Sequence, residues 1–369
     1  MLWANLAFWL APGAAAADLF TVTRVQVDVT AESSAQARAR ALQDGQRQAF
    51  TRLLRRITLR ADWPRLPPAD QGTVERAVQG IEIAEERATA TRYFGALNVT
   101  FKRDPVRSLL RDAGIPFTEA VARPVLVLPV LGKDGKPALW GGENPWRESW
   151  GRLVEGSSLT PIVLAKGDEQ DQAGLSAEQA MAADQAPLLA LARRYGTTAA
   201  WVVTAVPEAD HVNVASTRGG AGAGPAVVES FPGDASADNL GRIAQVLMER
   251  HEESWKQQTL LRFDDRGQLI ASAAFRSFNE WQRIRERLNG IAELRRVEIT
   301  ALTHRDAQLT LSYIGDPVRL ATVLAQRDIE LSDRQGYWQI RLTDGATSSA
   351  PARRAPEPEA PKEEAKPAQ

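Results

Sequence analysis

One apolar run limits the folds open to this chain of 369 residues more than any other feature. Residues 124–131 read PVLVLPVL, without a single charged side chain. A run of this length is typical of a strand that is buried on both faces, as in sheets that carry helices on either side. Similar strand patterns at 160–165 and 199–206 alternate with helical patterns. This order predicts an α/β sandwich with a partly parallel sheet over residues 122–260.

Other signals complete this second module. Ser176 is followed three residues later by Gln179, which is the capping-box pattern and predicts the start of one helix that runs to about Gly196. Residues 211–216 and 226–231 flank a glycine-rich loop and predict a hairpin. The loop has the glycines of a phosphate-binding loop, but a strand pattern follows it where such a loop needs a helix. A hairpin tip is therefore favoured.

The first module, residues 18–118, has the order β-α-β-β-α. Valines alternate with polar residues at 25–29, which predicts a strand. Residues 34–59 carry apolar side chains mostly at spacings of three and four, which predicts a long amphipathic helix. Two strand patterns follow, and Asp104 is expected to be the N-cap of a closing helix.

The third module, residues 261–343, has the order β-α-β-β-α-β, which is typical of a ferredoxin-like sandwich. Ser277 with Glu280 three residues later marks the start of one helix. Asp316 followed by Pro317 marks the start of a second helix. The chain is thus predicted to be a mixed α+β and α/β protein of three modules.

The two ends of the chain differ from the modules. Residues 1–17 contain a short apolar run and end with Ala15 and Ala17, the small residues that a signal peptidase requires. We expect cleavage near Ala17 and a periplasmic protein with no membrane span after cleavage, because the run is shorter than the roughly 20 residues of a spanning helix. An uncleaved apolar anchor is the alternative. Residues 344–369 are rich in Pro, Ala and Glu, which predicts a disordered tail.

Composition excludes several kinds of function. The chain has no cysteine and only three histidines, so disulfides, thiolate metal sites and a cysteine nucleophile are ruled out. Its net charge of −1 provides no basic field for nucleic acid. No catalytic constellation, metal site or cofactor site is recognisable, and we do not expect an enzyme.

The most unusual stretch is a cluster of tryptophans in the second module. Trp146 and Trp150 lie one helical turn apart, and Trp140 precedes them across a glycine turn. With Arg147 and Glu148 as polar contacts, they are candidates for an aromatic platform that binds a peptide, a sugar or a partner protein. The alternative is that the tryptophans pack their helix onto the sheet.

Three segments also carry a family resemblance: VLPVL at 127–131, ENPWRESW at 143–150, and AFTRLLRRIT at 49–58. In an exported chain this combination resembles an uncharacterised family of proteobacterial exported proteins with a domain of unknown function, over most of residues 18–343. The resemblance implies no activity and no site residues. By module order, the first two modules are distantly similar to flagellar and curli assembly proteins, and the second to the amino-terminal domain of the Tol translocation protein.

Two hypotheses about function follow. The preferred one is a non-enzymatic interaction or scaffold protein of cell-envelope assembly, with an envelope protein as partner. The alternative is a ligand-binding protein or hydrolase that acts on cell-wall sugar or peptide at the Trp140–Trp150 region.

Overall fold

A computed structural model describes residues 18–133, 136–154, 158–261, 266–334 and 336–343. The predicted signal peptide, residues 1–17, and the predicted tail, residues 344–369, lie outside the described residues. Mixed sheets and helices form the described part of the chain. The predicted α/β multi-module fold is therefore confirmed.

The first module is a three-stranded antiparallel sheet in the order β1-β3-β2, with a long helix on one face. Its regular elements are β1 (Thr21–Thr30), α1 (Ser34–Ile57), a 3-10 helix (Arg60–Arg65), α2 (Gln71–Ala77), β2 (Val78–Ala88), β3 (Arg92–Phe101) and α3 (Arg103–Asp112).

Two details of this module differ from the prediction. Helix α3 has Lys102 as its N-cap, without a side-chain hydrogen bond, so the prediction that Asp104 is the N-cap was wrong. Asp104 instead lies in the first turn and faces Arg107 at 3.5 Å. Helix α2 was not predicted, although its N-cap Asp70 accepts a hydrogen bond from the Thr73 N–H. Seven residues are too few for a periodic apolar pattern, so the cap was its only local signal.

A helical glycine allows α1 to approach the sheet closely. A Cβ atom built on Gly45 would lie 2.4 Å from Leu97 Cδ1 and 2.9 Å from Val27 Cγ1. Both neighbours are buried core side chains of the sheet. The helix therefore requires glycine here despite its low helix propensity.

The second module is a six-stranded mixed sheet between two layers of helices. Strand β4 pairs in parallel with β6 and β7, and the remaining pairs are antiparallel, in the order β5-β4-β7-β8-β9 with β6 also on β4. The elements are β4 (Val125–Lys133), β5 (Lys136–Ala138), α4 (Pro145–Val154), β6 (Ile162–Leu164), α5 (Glu169–Gly174), α6 (Ala177–Met181), α7 (Gln185–Arg194), β7 (Ala199–Pro207), β8 (His211–Gly220), β9 (Val227–Pro232) and α8 (Ala237–Thr259).

The partly parallel sheet and the β8–β9 hairpin agree with the prediction. The capping box at Ser176 is present, but the single helix expected from Ser176 to Gly196 is two helices. Ala183 has a left-handed φ of 54°, which ends α6, and Pro187 lies in the first turn of α7, where its missing N–H is tolerated.

The third module is a five-stranded sheet in the order β11-β12-β10-β14-β13. Ser277 and Asp316 are the N-caps of its two helices, as predicted. The elements are β10 (Arg266–Ala274), α9 (Phe278–Leu288), β11 (Leu294–Leu302), β12 (Asp306–Ile314), α10 (Pro317–Gln326), β13 (Ile329–Arg334) and β14 (Tyr337–Leu342).

The third module has one strand more than the predicted β-α-β-β-α-β order. The crossover through α10 leads to β13 at the sheet edge, and the chain then turns back as β14, which lies between β13 and β10. Strand β14 consequently runs parallel to β10. The strands β11-β12-β10-β14 stand in the order of a ferredoxin-like sheet. The extra hairpin reverses β14, the last predicted strand, which would run antiparallel to β10 in a ferredoxin-like sheet.

Candidate functional site

The tryptophan cluster is mostly core. Trp146 and Trp150 have no exposed surface, and Trp146 Nε1 donates to the Val203 carbonyl at 2.9 Å. The Trp146 and Trp150 rings meet edge to face at 5.7 Å, and Trp150 meets Trp201 at 5.2 Å. Neither ring has an exposed face, which favours the packing alternative, and a ligand role for Trp146 and Trp150 stays a prediction.

Two of the other candidates, Trp140 and Arg147, lie at the carboxyl end of β6. Trp140 is half-buried and its Nε1 donates to the Leu175 carbonyl at 2.6 Å. Arg147 donates to the carbonyls of Ala165 and Lys166, and Glu148 is exposed. Open α/β sheets commonly bind ligands at this edge, where the crossovers to successive strands leave on opposite faces. Here the Trp140 ring and the Arg147 side chain lie over the strand end. A ligand role for Trp140, Arg147 and Glu148 stays a prediction.

The first and second modules meet through buried charges that the sequence analysis did not identify. Lys256 of α8 is 4% exposed, and its Nζ donates to the carbonyls of Arg55 and Thr58 at 3.0 and 3.1 Å. These carbonyls lie at the C-terminal end of α1, where helix carbonyls lack intrahelical partners and the dipole favours a cation. Burial lowers the pKa of Lys256, while Glu252 and Glu253 oppose that shift. One helix thus caps another across the module boundary.

Arg56 and Glu252 extend this junction. Arg56 Nη1 donates to the carbonyls of Leu19 and Thr21 at 2.7 and 3.0 Å. Burial lowers the pKa of Arg56 and raises the pKa of Glu252, and the charge of each group opposes the shift of the other. The hydrogen bonds of Arg56 lie within the first module, and only its charge interaction with Glu252 crosses to the second module.

A cavity of about 430 Å³, which we call the junction cavity, lies where all three modules meet. Asp18 and Arg103 of the first module, Glu119 of the following linker, and Glu293 and Arg327 of the third module line it. Glu119 holds Arg107 through two hydrogen bonds of 2.6 and 2.7 Å.

Glu293 is the most perturbed group of the junction cavity. It is 3% exposed, and its Oε1 has no hydrogen-bond partner among the described residues. Burial raises the pKa of Glu293 to about 7; Glu119 adds to the shift, whereas Arg327 and Arg107 oppose it. A single glutamate in the apolar stretch 291–294 was the only sequence signal of this site.

A second concave surface, which we call the edge groove, lies between α9 and the edge strand β11. Its volume is about 570 Å³. Val297 and Ile299 form its floor and are 38% and 46% exposed, because α9 does not reach across the outermost strand. Arg285 and Arg295 border the edge groove, and neither forms an ion pair with any residue of the described ranges.

Among the described residues, no three His, Asp or Glu side chains lie close enough together to hold a metal ion. No helix in these ranges combines the length and apolar character needed to cross a membrane.

Comparison with known proteins gives one match. The model of a family described as "Domain of unknown function (DUF8605)" matches residues 16–119. The expected resemblance to an uncharacterised family is thereby confirmed for the first module, whereas we had expected it over most of residues 18–343. Searches of the curated proteins and of the solved structures each found no match.

Proposed function

We propose that this protein is an exported, periplasmic, non-enzymatic interaction protein of cell-envelope assembly, and that its edge groove binds the partner. The observation that carries the proposal is an apolar floor, formed by Val297 and Ile299, beside a free strand edge. Export is supported by the signal-peptide pattern of residues 1–17.

The shape of the edge groove favours an extended segment as its occupant. Strand β11 is the outermost strand of its sheet, so one side of its backbone is not paired within the sheet. The pairing of β11 with β12 shifts register near both ends of β11, so Arg296–Ile299 is the regularly paired stretch. A partner segment that pairs with this stretch would hydrogen-bond to the backbone and cover the apolar floor, as in β-strand addition.

The charges of the edge groove favour an acidic partner. Arg285, Arg295 and Arg296 border it, against the single acidic residue Glu286. Arg296 is already paired with Glu298 at 2.8 Å, so Arg285 and Arg295 are the cations available to a partner. Carboxylates accept charge-assisted hydrogen bonds from guanidinium groups, which are stronger than neutral ones. The proposed occupant is therefore an extended acidic segment of an envelope protein.

The buried junction between modules supports the same proposal. Lys256 of the second module binds backbone carbonyls of the first module, and Arg123, just before β4, binds Asp328 of the third module at 2.7 Å. A rigid support reduces the entropy that is lost when a partner binds.

Site-specific photo-crosslinking in cells tests the proposal. A photoreactive residue at Ile299 should give a discrete crosslinked adduct, whereas the same residue at Ile270 should not. Ile270 is a matched control because it is 59% exposed in the same sheet, with its neighbours Leu269 and Ala271 buried. Replacing both Arg285 and Arg295 by Gln should weaken the Ile299 adduct. Equal adducts at the two positions, or none at Ile299, would refute the proposal.

A further inference from the structure

The junction cavity contains an acceptor for which the described residues provide no donor. Glu293 Oε1 is buried and unpartnered, while the cations around it are engaged elsewhere. Arg107 is bound by Glu119, Arg103 donates to Asp18 at 2.9 Å, and Arg327 donates to the Asn289 carbonyl at 3.0 Å. A buried polar group without a partner carries its full desolvation cost, so a donor that enters this cavity would bind favourably.

Asp18 lies in the wall of the same cavity and its position is fixed. Its carbonyl accepts a hydrogen bond from the Thr21 N–H at 2.8 Å, and its Oδ1 accepts one from Arg103. The next carbonyl, of Leu19, accepts from the half-buried Arg56. The backbone that follows the predicted cleavage point is therefore held beside the junction cavity.

We infer that the junction cavity is a binding site for an ammonium group, and that the α-ammonium of Asp18, formed when the Ala17–Asp18 bond is hydrolysed, binds there to Glu293. This inference rests on the proposed export. Hydrolysis breaks the bond between the Ala17 carbonyl carbon and the Asp18 nitrogen. Water supplies the hydroxyl of the new Ala17 carboxyl group and one hydrogen of the amine, and the carboxyl proton passes to that amine. The product is a carboxylate and an ammonium group.

Cleavage changes the chemistry at one wall of the cavity. Before hydrolysis the Asp18 nitrogen is a neutral amide with one N–H. Afterwards it is an amine whose ordinary pKa is about 8, with three N–H donors when protonated. An anion would meet the acidic Glu119 and Glu293 together, whereas an ammonium group provides the donor that Glu293 Oε1 lacks. Removal of the signal peptide would thus strengthen the junction of the three modules only after export.

Two forms of the mature chain, residues 18–369, test the inference. One begins at Asp18 with a free amine, and the other carries one glycine before Asp18, which moves the amine by about 3.8 Å. Each is prepared with Glu293 and with Glu293→Gln. At pH 7 the unfolding equilibrium constant of the Asp18 form should be at least tenfold smaller than that of the glycine-extended form. The two Glu293→Gln forms should have equal constants.

A titration of the Glu293 carboxyl by NMR adds a readout that a purely structural effect would not change. Its pKa should be at least one unit lower in the Asp18 form than in the glycine-extended form. Equal stabilities with Glu293 present, or a difference that persists in Glu293→Gln, would overturn the inference. Both forms are produced by a protease in vitro, so this result does not depend on export. Mass determination of the amino terminus from cell fractions tests export separately.

Discussion

Replacement of Lys256 by methionine is the sharpest test of how the first and second modules are joined. The ammonium group is almost fully buried and donates to two carbonyls at the end of α1. Methionine has a similar length but no donor, so both carbonyls lose this partner and Glu252 loses a nearby cation. Breaking a buried ionic contact by removing one partner costs about 3–5 kcal/mol, and methionine packing restores part of this. We expect a loss of about 3 kcal/mol.

The assay is urea unfolding at neutral pH, followed by tryptophan fluorescence and circular dichroism. Lys102→Met is the matched control, because Lys102 is exposed and makes a single 3.5 Å contact with the Arg76 carbonyl. An exposed contact of this kind contributes within about 0.5 kcal/mol. If Lys256→Met and Lys102→Met shift the midpoint by the same small amount, the capping of α1 by Lys256 does not hold the modules together.

Three further substitutions have expected outcomes. Gly45→Ala should destabilise by about 1–3 kcal/mol through overlap with Leu97, as urea midpoints will show. A Cβ atom on Gly151 would lie 4.0 Å from Leu164 Cδ1, so Gly151→Ala should be neutral or stabilise by up to about 1 kcal/mol. Burial lowers the pKa of His251 to about 3, so the unfolded chain binds a proton on this residue at a higher pH than the folded protein does. The contribution of neutral His251 to the free energy of unfolding is therefore fully present above pH 6.5 and is lost as the pH falls from there towards 3. His251→Gln should remove about 3 kcal/mol of the loss between pH 6.5 and 4, as measured by unfolding at each pH, and an unchanged profile would contradict the shift. Trp146→Ala should cost about 3–5 kcal/mol in thermal unfolding, and a fully stable variant would show that the ring is not core.

Most of the regular elements could be predicted because their signals are local. A capping serine, an aspartate–proline pair and an apolar run each act within a few residues. Ser176, Ser277 and Asp316 therefore marked the starts of their helices, and residues 124–131 identified their strand. Short elements gave weaker signals. Helices α2 and α5 have only seven and six residues, which is too short for a periodic pattern.

The break between α6 and α7 and the additional strand β13 also lacked a local sequence signal. The left-handed Ala183 that divides α6 from α7 carries no glycine signal, because alanine adopts this backbone only where the surrounding structure requires it. Strand β13 was missed, although its partner β14 follows it directly in the chain. The direction of β14 was missed with it, because β14 also pairs with β10, which lies far away in sequence.

By itself, the sequence determined the fold class, most helix starts and the absence of thiol chemistry, because these depend on residue type and short-range order. Only the tertiary structure decided the roles of single side chains. It buried Trp146 and Trp150, placed Lys256 on the end of α1, and gave Glu293 Oε1 no donor among the described residues, in a cavity that Asp18 also lines. These properties depend on which distant residues meet and on how much water is excluded there, and neither is encoded in local spacing.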